Sequence, residues 1–428
     1  MPFDREAALS WYARNRQRSR ALFDMLPEDV YYSRPIDLRH PIVFYDGHLP
    51  GFSFNTLVKK ALGRPSIDAR LETLFARGID PHESQQGGAA SAHTWPSKDA
   101  VQAFVDEADA RVIDVLAHDD LERPGDPLLD RADAVFTVLE HEAMHQETLL
   151  YMWHRLPFSQ KRRPAAYAPR TAGRTPADEW REVSPGQASL GADRATLVFG
   201  WDNELPSCIV DVPAFEIQRH DVTNARFMDF VDAGGYGDPQ WWRPDDWRWV
   251  QSEKLSHPLF WERVDGEWYW RGMFELIPLP PAWPVYVSHA EAHAYAQWRE
   301  CRLPTEAEYQ RASVGAAPGL CDFESWDPEP AGAHATAASE HGVEDLVGNG
   351  WEWTASTFGP FPGFRASASY PEYSADFFDG EHFVMKGASP ATARELVRPT
   401  FRNWFRARYP YVYATFRCAR SQQTERIR

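Results

Sequence analysis

The sequence is poor in cysteine. Cys208, Cys301, Cys321 and Cys418 are the four in 428 residues, widely spaced and without a C-x-x-C pair. That pattern argues against a zinc ribbon or a thioredoxin-type redox pair and makes reduced thiols the expectation. Long apolar runs are also missing. No stretch approaches 18 consecutive apolar residues, so no membrane-spanning helix and no membrane partner are expected. The opening segment MPFDREAALSWYARNRQRSR has no apolar signal-peptide core, and a cytoplasmic protein is the expectation. Positive charge is the minority charge: 45 Lys and Arg against 62 Asp and Glu leave a net charge of −17. Phosphates would be repelled, so nucleic acid is not the expected partner. Small-molecule substrates remain, and charge does not choose among them. There is no internal repeat and no low-complexity tract.

What is abundant is tryptophan and proline, 18 and 34 residues. They suit a region of irregular structure packed by large aromatics. The chain is long enough for two domains. Its first part reads as helical. An amphipathic helix is expected over 4–26, with Asp4 as cap and Pro27 as stop. A second begins in the apolar run 42–48 and passes through Phe52, Phe54, Leu57 and Val58. Residues 64–97, with Gly87-Gly88, read as loop. A third helix is expected over 97–116 with Ser97 as cap, and a fourth over 127–155. Residues 161–180 are basic and rich in Pro and Ala, a linker composition. From 181 onward short β-like runs dominate, among them 196–200, 208–212 and 215–217. Two short helices stand out, near 224–231 and 288–300. The fold class is α+β: a four-helix bundle over 1–160, a linker over 161–180 and an irregular domain over 181–428.

The fourth helix carries His141 and His145, four apart and on the stripe of Val138 and Met152. Positions i and i+4 share a helix face. Two inward imidazoles at that spacing can share one metal ion; a hydrogen-bonded pair of core histidines is the plainer alternative. With Glu142 the segment also reads H-E-x-x-H, the zinc-peptidase pattern in which the glutamate acts as general base. A third ligand has to decide. His48 is the candidate: it follows Gly47, which leaves room for close approach, and it lies among aromatics. A partly buried structural histidine is the alternative.

Several segments of the second half match a known family. They are Phe215-Glu216-Ile217, Val222-Thr223-Asn224, Pro284-Val285 and Val287-Ser288-His289-Ala290-Glu291-Ala292. They continue with Arg302-Leu303-Pro304-Thr305-Glu306-Ala307-Glu308-Tyr309, Gly348-Asn349-Gly350-Trp351-Glu352-Trp353-Thr354 and Phe416-Arg417. Together they resemble the formylglycine-generating-enzyme (sulfatase-modifying-factor) domain, an α+β fold related to C-type lectins. Formylglycine generation uses two cysteines close together near the C-terminal Phe-Arg. Here Cys418 is alone in that stretch and Tyr413 stands where its partner would fall. Gly47-His48 followed by His141, His145 and Glu147 resembles the DinB-like bundle that precedes this domain in the EgtB-type nonheme iron enzymes, the ergothioneine and selenoneine synthases. The chain is most like the selenoneine-synthase branch, and the zinc-peptidase match then reads as coincidence.

The resemblance implies Fe(II) held by His48, His141 and His145, with O2 as co-substrate and a structural Ca as a further possibility. It implies hercynine as one substrate and a selenosugar, or a thiol such as cysteine or γ-glutamylcysteine, as the other. Tyr370, with Tyr373 as second candidate, stands where a proton-donating tyrosine is expected. Asn403-Trp404 matches the segment that cradles the trimethylammonium group, a cation–π role for the indole. The synthases that use γ-glutamylcysteine place Asp, and four residues later Arg, after Asn-Trp. This chain has Phe405 and Tyr409, and Met144 where Gln often precedes the last histidine. Loss of that charged clamp points to a donor without amino-acid charges, such as a neutral selenosugar. Arg406 and Arg408 remain as cations for a different anion, and Ser389 and Arg402 are further pocket candidates. A non-catalytic lectin-like binding module is the alternative of another class, and three inward histidines argue against it.

Overall fold

A computed structural model of the chain describes residues 3–76 and 95–421. The expected Gly87-Gly88 loop lies outside the described residues. The chain divides into two compact units, one of 1–165 together with Ser367–Pro371, the other of 166–366 and 372–428.

The first unit is helical. Helix α1 (Arg5–Asp24) starts where the Asp4 side chain accepts from Ala7 N, and it buries Ala8, Tyr12, Asn15, Arg16, Ser19 and Leu22 on one face. Helix α2 (Ile42–Ser53) buries almost every residue and runs on as a π-helix over Phe54–Ala61. The segment read as loop contains a short helix, α3 (Ala69–Phe75), capped by Asp68. Helix α4 (Lys98–His118) is capped by Ser97. Helix α5 (Asp133–Arg155) starts later than expected. The Asp126 carboxylate accepts from Leu128 N and Leu129 N, and Arg131 and Ala132 both have φ of 56°. Those residues form a turn in place of a helical start. Tyr12, Phe54, Leu57, Val112, Leu116, Val135, Val138 and Leu139 pack as the core between the helices.

The second unit is built of small sheets. Its strands are β1 (Trp180–Val183), β2 (Gly186–Leu190), β3 (Cys208–Val212), β4 (Phe215–Gln218), β5 (Trp261–Val264) and β6 (Glu267–Arg271). They continue with β7 (Leu276–Pro278), β8 (Gly350–Thr357), β9 (His382–Ala388), β10 (Asn403–Arg406), β11 (Ala414–Thr415) and β12 (Ala419–Ser421). The sheet orders are β1-β4-β12, β10-β9-β8-β11, β2-β3 and β5-β6-β7. The expected run at 196–200 is not a strand. Thr196 N and Oγ1 both donate to the Asp193 carbonyl, so the segment closes a turn before any partner strand is met.

Helices α6 (Asn224–Asp232) and α8 (His289–Trp298) fall where short helices are expected; α7 (Pro244–Glu253) and α9 (Glu306–Ala312) were not foreseen. The motif residues explain much of this architecture. Ser288 with Glu291 and Thr305 with Glu308 form reciprocal capping boxes that start α8 and α9. Arg417 is fully buried and held by Glu352 at 2.6 Å and Asp221 at 3.0 Å, which ties β8 to the turn after β4. Strand β10 pairs antiparallel with β9, setting Trp404 opposite Val384 and Phe405 opposite Phe383.

Candidate metal centre

Helices α2 and α5 bring three imidazoles together. His48 Nε2 lies 3.3 Å from His145 Nε2, which lies 3.1 Å from His141 Nε2. All three side chains are buried, at 3%, 2% and 7% exposure for His48, His141 and His145. His48 Nδ1 is 2.7 Å from the Phe75 carbonyl. A carbonyl only accepts, so Nδ1 carries the proton and Nε2 presents its lone pair. Burial pushes His48 down to about 4 against the opposing Phe75 hydrogen bond. Burial also holds His141 and His145 well below the usual histidine range, with positive charge on His145 and His48 adding to it for His141 and on His48 and Arg39 for His145. Neutral imidazole is the form that binds metal.

These observations test whether the site suits a cation. Three nitrogens meet in a dry space where a single proton could satisfy only one pair, whereas one cation would satisfy all three. Ligands 2.1 Å from one ion lie about 3.0–3.4 Å apart for right-angle or tetrahedral placement. The two observed separations match that window. Among the described residues, these histidines form the only group of three or more His, Cys, Asp or Glu side chains with ligand atoms gathered so closely.

The surroundings hold the rings in place. Phe52 stacks on His141 with centroids 3.5 Å apart and planes at 11°, and Phe44 stacks on His48 at 4.9 Å. A Cβ at Gly47 would come within 2.4 Å of the Phe75 ring, so the glycine lets α3 lie against α2 and deliver its carbonyl to His48. Tyr45, fully buried, has its ring 6.0 Å from that of His145. Glu142 points off the ligand face: its Oε1 accepts from Arg16 at 2.8 Å and Ser19 at 2.7 Å, both on α1. Successive helix residues are about 100° apart, and this carboxylate is committed to an ion pair. The general base that a zinc-peptidase reading needs is therefore engaged elsewhere. Met144 is half-buried on α5 between the two histidines, and Glu147 is buried.

Tyr370 belongs to the helical unit despite its place in the sequence. Its ring lies 5.1 Å from Phe52 and 6.0 Å, edge-on, from His141. Tyr373 belongs to the second unit, stacked on Trp201 at 3.9 Å and edge-on to Trp404 at 5.1 Å. In that unit Trp404 lies flat on Phe358, centroids 4.2 Å apart and planes at 4°. Asn403 turns its side-chain oxygen to Trp404 N at 2.9 Å. Phe405 and Tyr409 stack on each other at 5.0 Å. Arg406 faces Asp379 at 3.9 Å, and Arg408 faces Asp246 at 3.7 Å and Glu381 at 4.0 Å. Arg402 pairs with Glu306 at 2.8 Å and lies over Phe361, and Ser389 is fully buried, its Oγ accepting from Ala391 N. Cys418, alone in its stretch of sequence, has Cys301 as its neighbour in space, and burial with that thiol raises it well above the usual range. The sequence reading placed Phe52 on the second helix without its stack on His141, and it missed the Phe75 carbonyl, whose only trace is Gly47, the glycine it packs against.

Two family descriptions match the chain: a Sulfatase-modifying factor enzyme 1-like domain over residues 166–422 and the DinB superfamily over 12–149. A protein named Hercynine oxygenase from Mycolicibacterium smegmatis is 33% identical over 369 residues, covering 80% of this chain and 82% of that protein. One of the same name from Mycobacterium tuberculosis is 39% identical over 250 residues, covering 54% and 58%. Ergothioneine biosynthesis protein 1 of Schizosaccharomyces pombe is 28% identical over 431 residues, and the match takes in 91% of this chain but 53% of that protein. This chain therefore spans about half the length of the fission-yeast relative. Among the described residues no helix is long and apolar enough to cross a membrane.

Proposed function

The chain belongs to the EgtB-type family, and we propose that it is a nonheme Fe(II)- and O2-dependent enzyme joining a chalcogen atom to the imidazole carbon of hercynine. The convergence of three dry imidazole nitrogens, with Tyr370 beside His141, carries this reading. Fe(II) held there would supply the centre at which O2 is activated, chemistry that nitrogen ligands of this kind suit. His48, His141 and His145 would hold the ion, and the Phe75 carbonyl keeps the His48 proton on Nδ1. Phe52 and Phe44 cover the ligand rings and exclude water from them. Tyr370 donates a proton to the reacting oxygen, a role a phenol can fill without carrying charge. Asn403 and Trp404 take the trimethylammonium group of hercynine, and Tyr373 buttresses Trp404. A purely binding module would have no use for the three histidines.

With a thiol donor the reaction balances simply. The imidazole C–H and the S–H bonds break and a C–S bond forms. One atom of O2 ends on sulfur as a sulfoxide, and the other leaves as water with the two hydrogens.

Our reading of the donor is a neutral selenosugar, with a thiol such as cysteine or γ-glutamylcysteine as the second reading. The stack of Phe405 on Tyr409 favours the first, because it offers apolar ring where the γ-glutamylcysteine pattern has Asp and Arg. The nearby Arg406 and Arg408 already face carboxylates. The name of the fission-yeast relative, Ergothioneine biosynthesis protein 1, favours sulfur. A competition assay decides. The protein is loaded anaerobically with Fe(II) and given hercynine with equal amounts of selenosugar, γ-glutamylcysteine and cysteine. O2 is then admitted and the products are read by mass. A selenium adduct supports the first reading and a sulfoxide adduct the second. No adduct from any donor with iron bound would sink the substrate assignment.

A further inference from the structure

We propose that Lys60, Ser369 and Asp133 are positioning residues that pin Tyr370 against the histidine cluster from both ligand-bearing helices. The inference rests on the proton-donor reading of Tyr370 given above.

The segment Ser367–Pro371 leaves the unit of its sequence neighbours and packs with the helices. Two attachments flank the tyrosine's backbone. Ser369, buried, donates its hydroxyl to the Asp133 carboxylate at 2.8 Å. Asp133 is the first residue of α5, the helix that also carries His141 and His145. His141 lies eight steps along the helix from Asp133, a rise of about 12 Å along one stiff rod. A carboxylate at a helix N-terminus is itself held by the dipole. The second attachment is Lys60, whose ammonium donates to the carbonyls of Ala368 at 2.8 Å and Ser369 at 3.1 Å. Lys60 lies on the π-helix that continues α2, the helix carrying His48. The strap is thus tied once to each element that supplies ligands.

Local chemistry finishes the placement. The Ser367 hydroxyl accepts from the backbone N–H groups of Ser369 at 3.2 Å and Tyr370 at 3.3 Å, a turn that fixes the backbone just before the phenol. The ring then meets Phe52 and His141. Ring packing alone is non-directional and would let the segment slide. The charge-assisted bonds supply the direction. Of the two attachments the buried Ser369–Asp133 bond is the stronger, and the exposed Lys60 bonds are weakened by solvent.

The test uses the full chain and the variants Ser369→Ala, Ser369→Thr, Lys60→Met and Tyr370→Phe. Trypsin cleavage after Arg365, an exposed residue two positions before the strap, reports release of the segment, because a protease needs several residues extended. Ser369→Ala combined with Lys60→Met should speed that cleavage about tenfold. Ser369→Thr, which keeps the hydroxyl, should stay near the parent. Co(II) affinity should not change in any of the four. In turnover, Ser369→Ala should lower kcat at unchanged KM, and should lower it no further on a Tyr370→Phe background. Unchanged cleavage after Arg365 overturns the pin, and so does a parallel loss of Co(II) affinity, which would mean that these residues support the ligand helices instead. Full kcat in Tyr370→Phe together with a released strap would sink the proton-donor reading while leaving the pin standing.

Discussion

The Nδ1–H of His48 donates to the carbonyl oxygen of Phe75 at 2.7 Å, and the Phe75 ring occupies the space that a side chain at Gly47 would need. The His48 tautomer therefore depends on how closely α2 and α3 approach. Gly47→Ala should push the ring, and with it the carbonyl, away from His48. Metal affinity should fall roughly 10–100-fold, the usual cost of losing such an outer partner. Titration with Co(II), followed by absorbance, reads this directly. In the parent protein, metal at a hundred times its dissociation constant should stabilise the fold by about 2.7 kcal/mol. Gly47→Ala at the same metal concentration should show less of that gain. An unchanged affinity would mean that the Phe75 carbonyl is incidental.

Arg16 is the hub that holds α1 against α5. Its guanidinium pairs with Glu142 at 2.8 Å and with Asp109 at 2.9 Å, all nearly buried. Asp109 also accepts from Tyr12 at 2.6 Å and Arg20 at 2.8 Å. Arg16→Met would leave Glu142 as a buried carboxylate without its cation. Breaking one side of such a pair costs about 3–5 kcal/mol. Urea denaturation of metal-free protein should show a loss of that size, with the fraction still folded keeping its Co(II) stoichiometry. A loss under about 1 kcal/mol would show that the network is solvated in solution and does not support the ligand helix.

The sequence disclosed the parts of this site that repeat with helical period and hid those that do not. His141 and His145 are legible because spacing on a helix is geometry, and Asp4 and Ser97 are legible because a cap is a local hydrogen bond. Gly47 hinted at a close neighbour, but a backbone carbonyl has no letter, so Phe75 could be named only from coordinates. Ser369 and Asp133 are 236 positions apart, and no local pattern joins them. The run at 196–200 misled because β-branched and aromatic residues favour a strand only where a partner strand exists. Tyr370 and Tyr373 look alike in sequence, three residues apart, yet one packs with the helices and the other stacks on Trp201.

Trp404 has one face covered by Phe358 in a near-parallel stack, so a cation has only the other face to use. A cation–π contact is worth about 0.5–2 kcal/mol. Trp404→Leu should therefore raise the KM for hercynine roughly 2–30-fold, with kcat nearly preserved, because the group is bound equally in ground and transition states. Histidine, which lacks the three methyl groups and is less readily desolvated, should lose less on the same substitution. Equal losses for both would assign Trp404 to packing with Tyr373 and Phe377.

The donor site proposed at Phe405 and Tyr409 offers the most direct conversion. Phe405 is half-exposed on β10, so a carboxylate there stays hydrated when no donor is bound. Tyr409 is buried, but arginine in its place can lay its aliphatic stem along the same path and bring its charge toward the surface. Phe405→Asp with Tyr409→Arg would rebuild an acid and a base separated by four residues, able to pair with the ammonium and carboxylate of a zwitterionic peptide. A hydrogen bond to a charged group contributes about 1.5–3 kcal/mol, so each restored contact should favour γ-glutamylcysteine by at least about tenfold in kcat/KM over a neutral selenosugar. Phe405→Asp alone should shift the ratio in the same direction by less, and it avoids disturbing the buried position. A ratio that does not move while both rates fall would show that the stacked rings support the fold near β10 without touching the donor. The selenosugar reading would then lose the structural feature that now sets it ahead of a thiol.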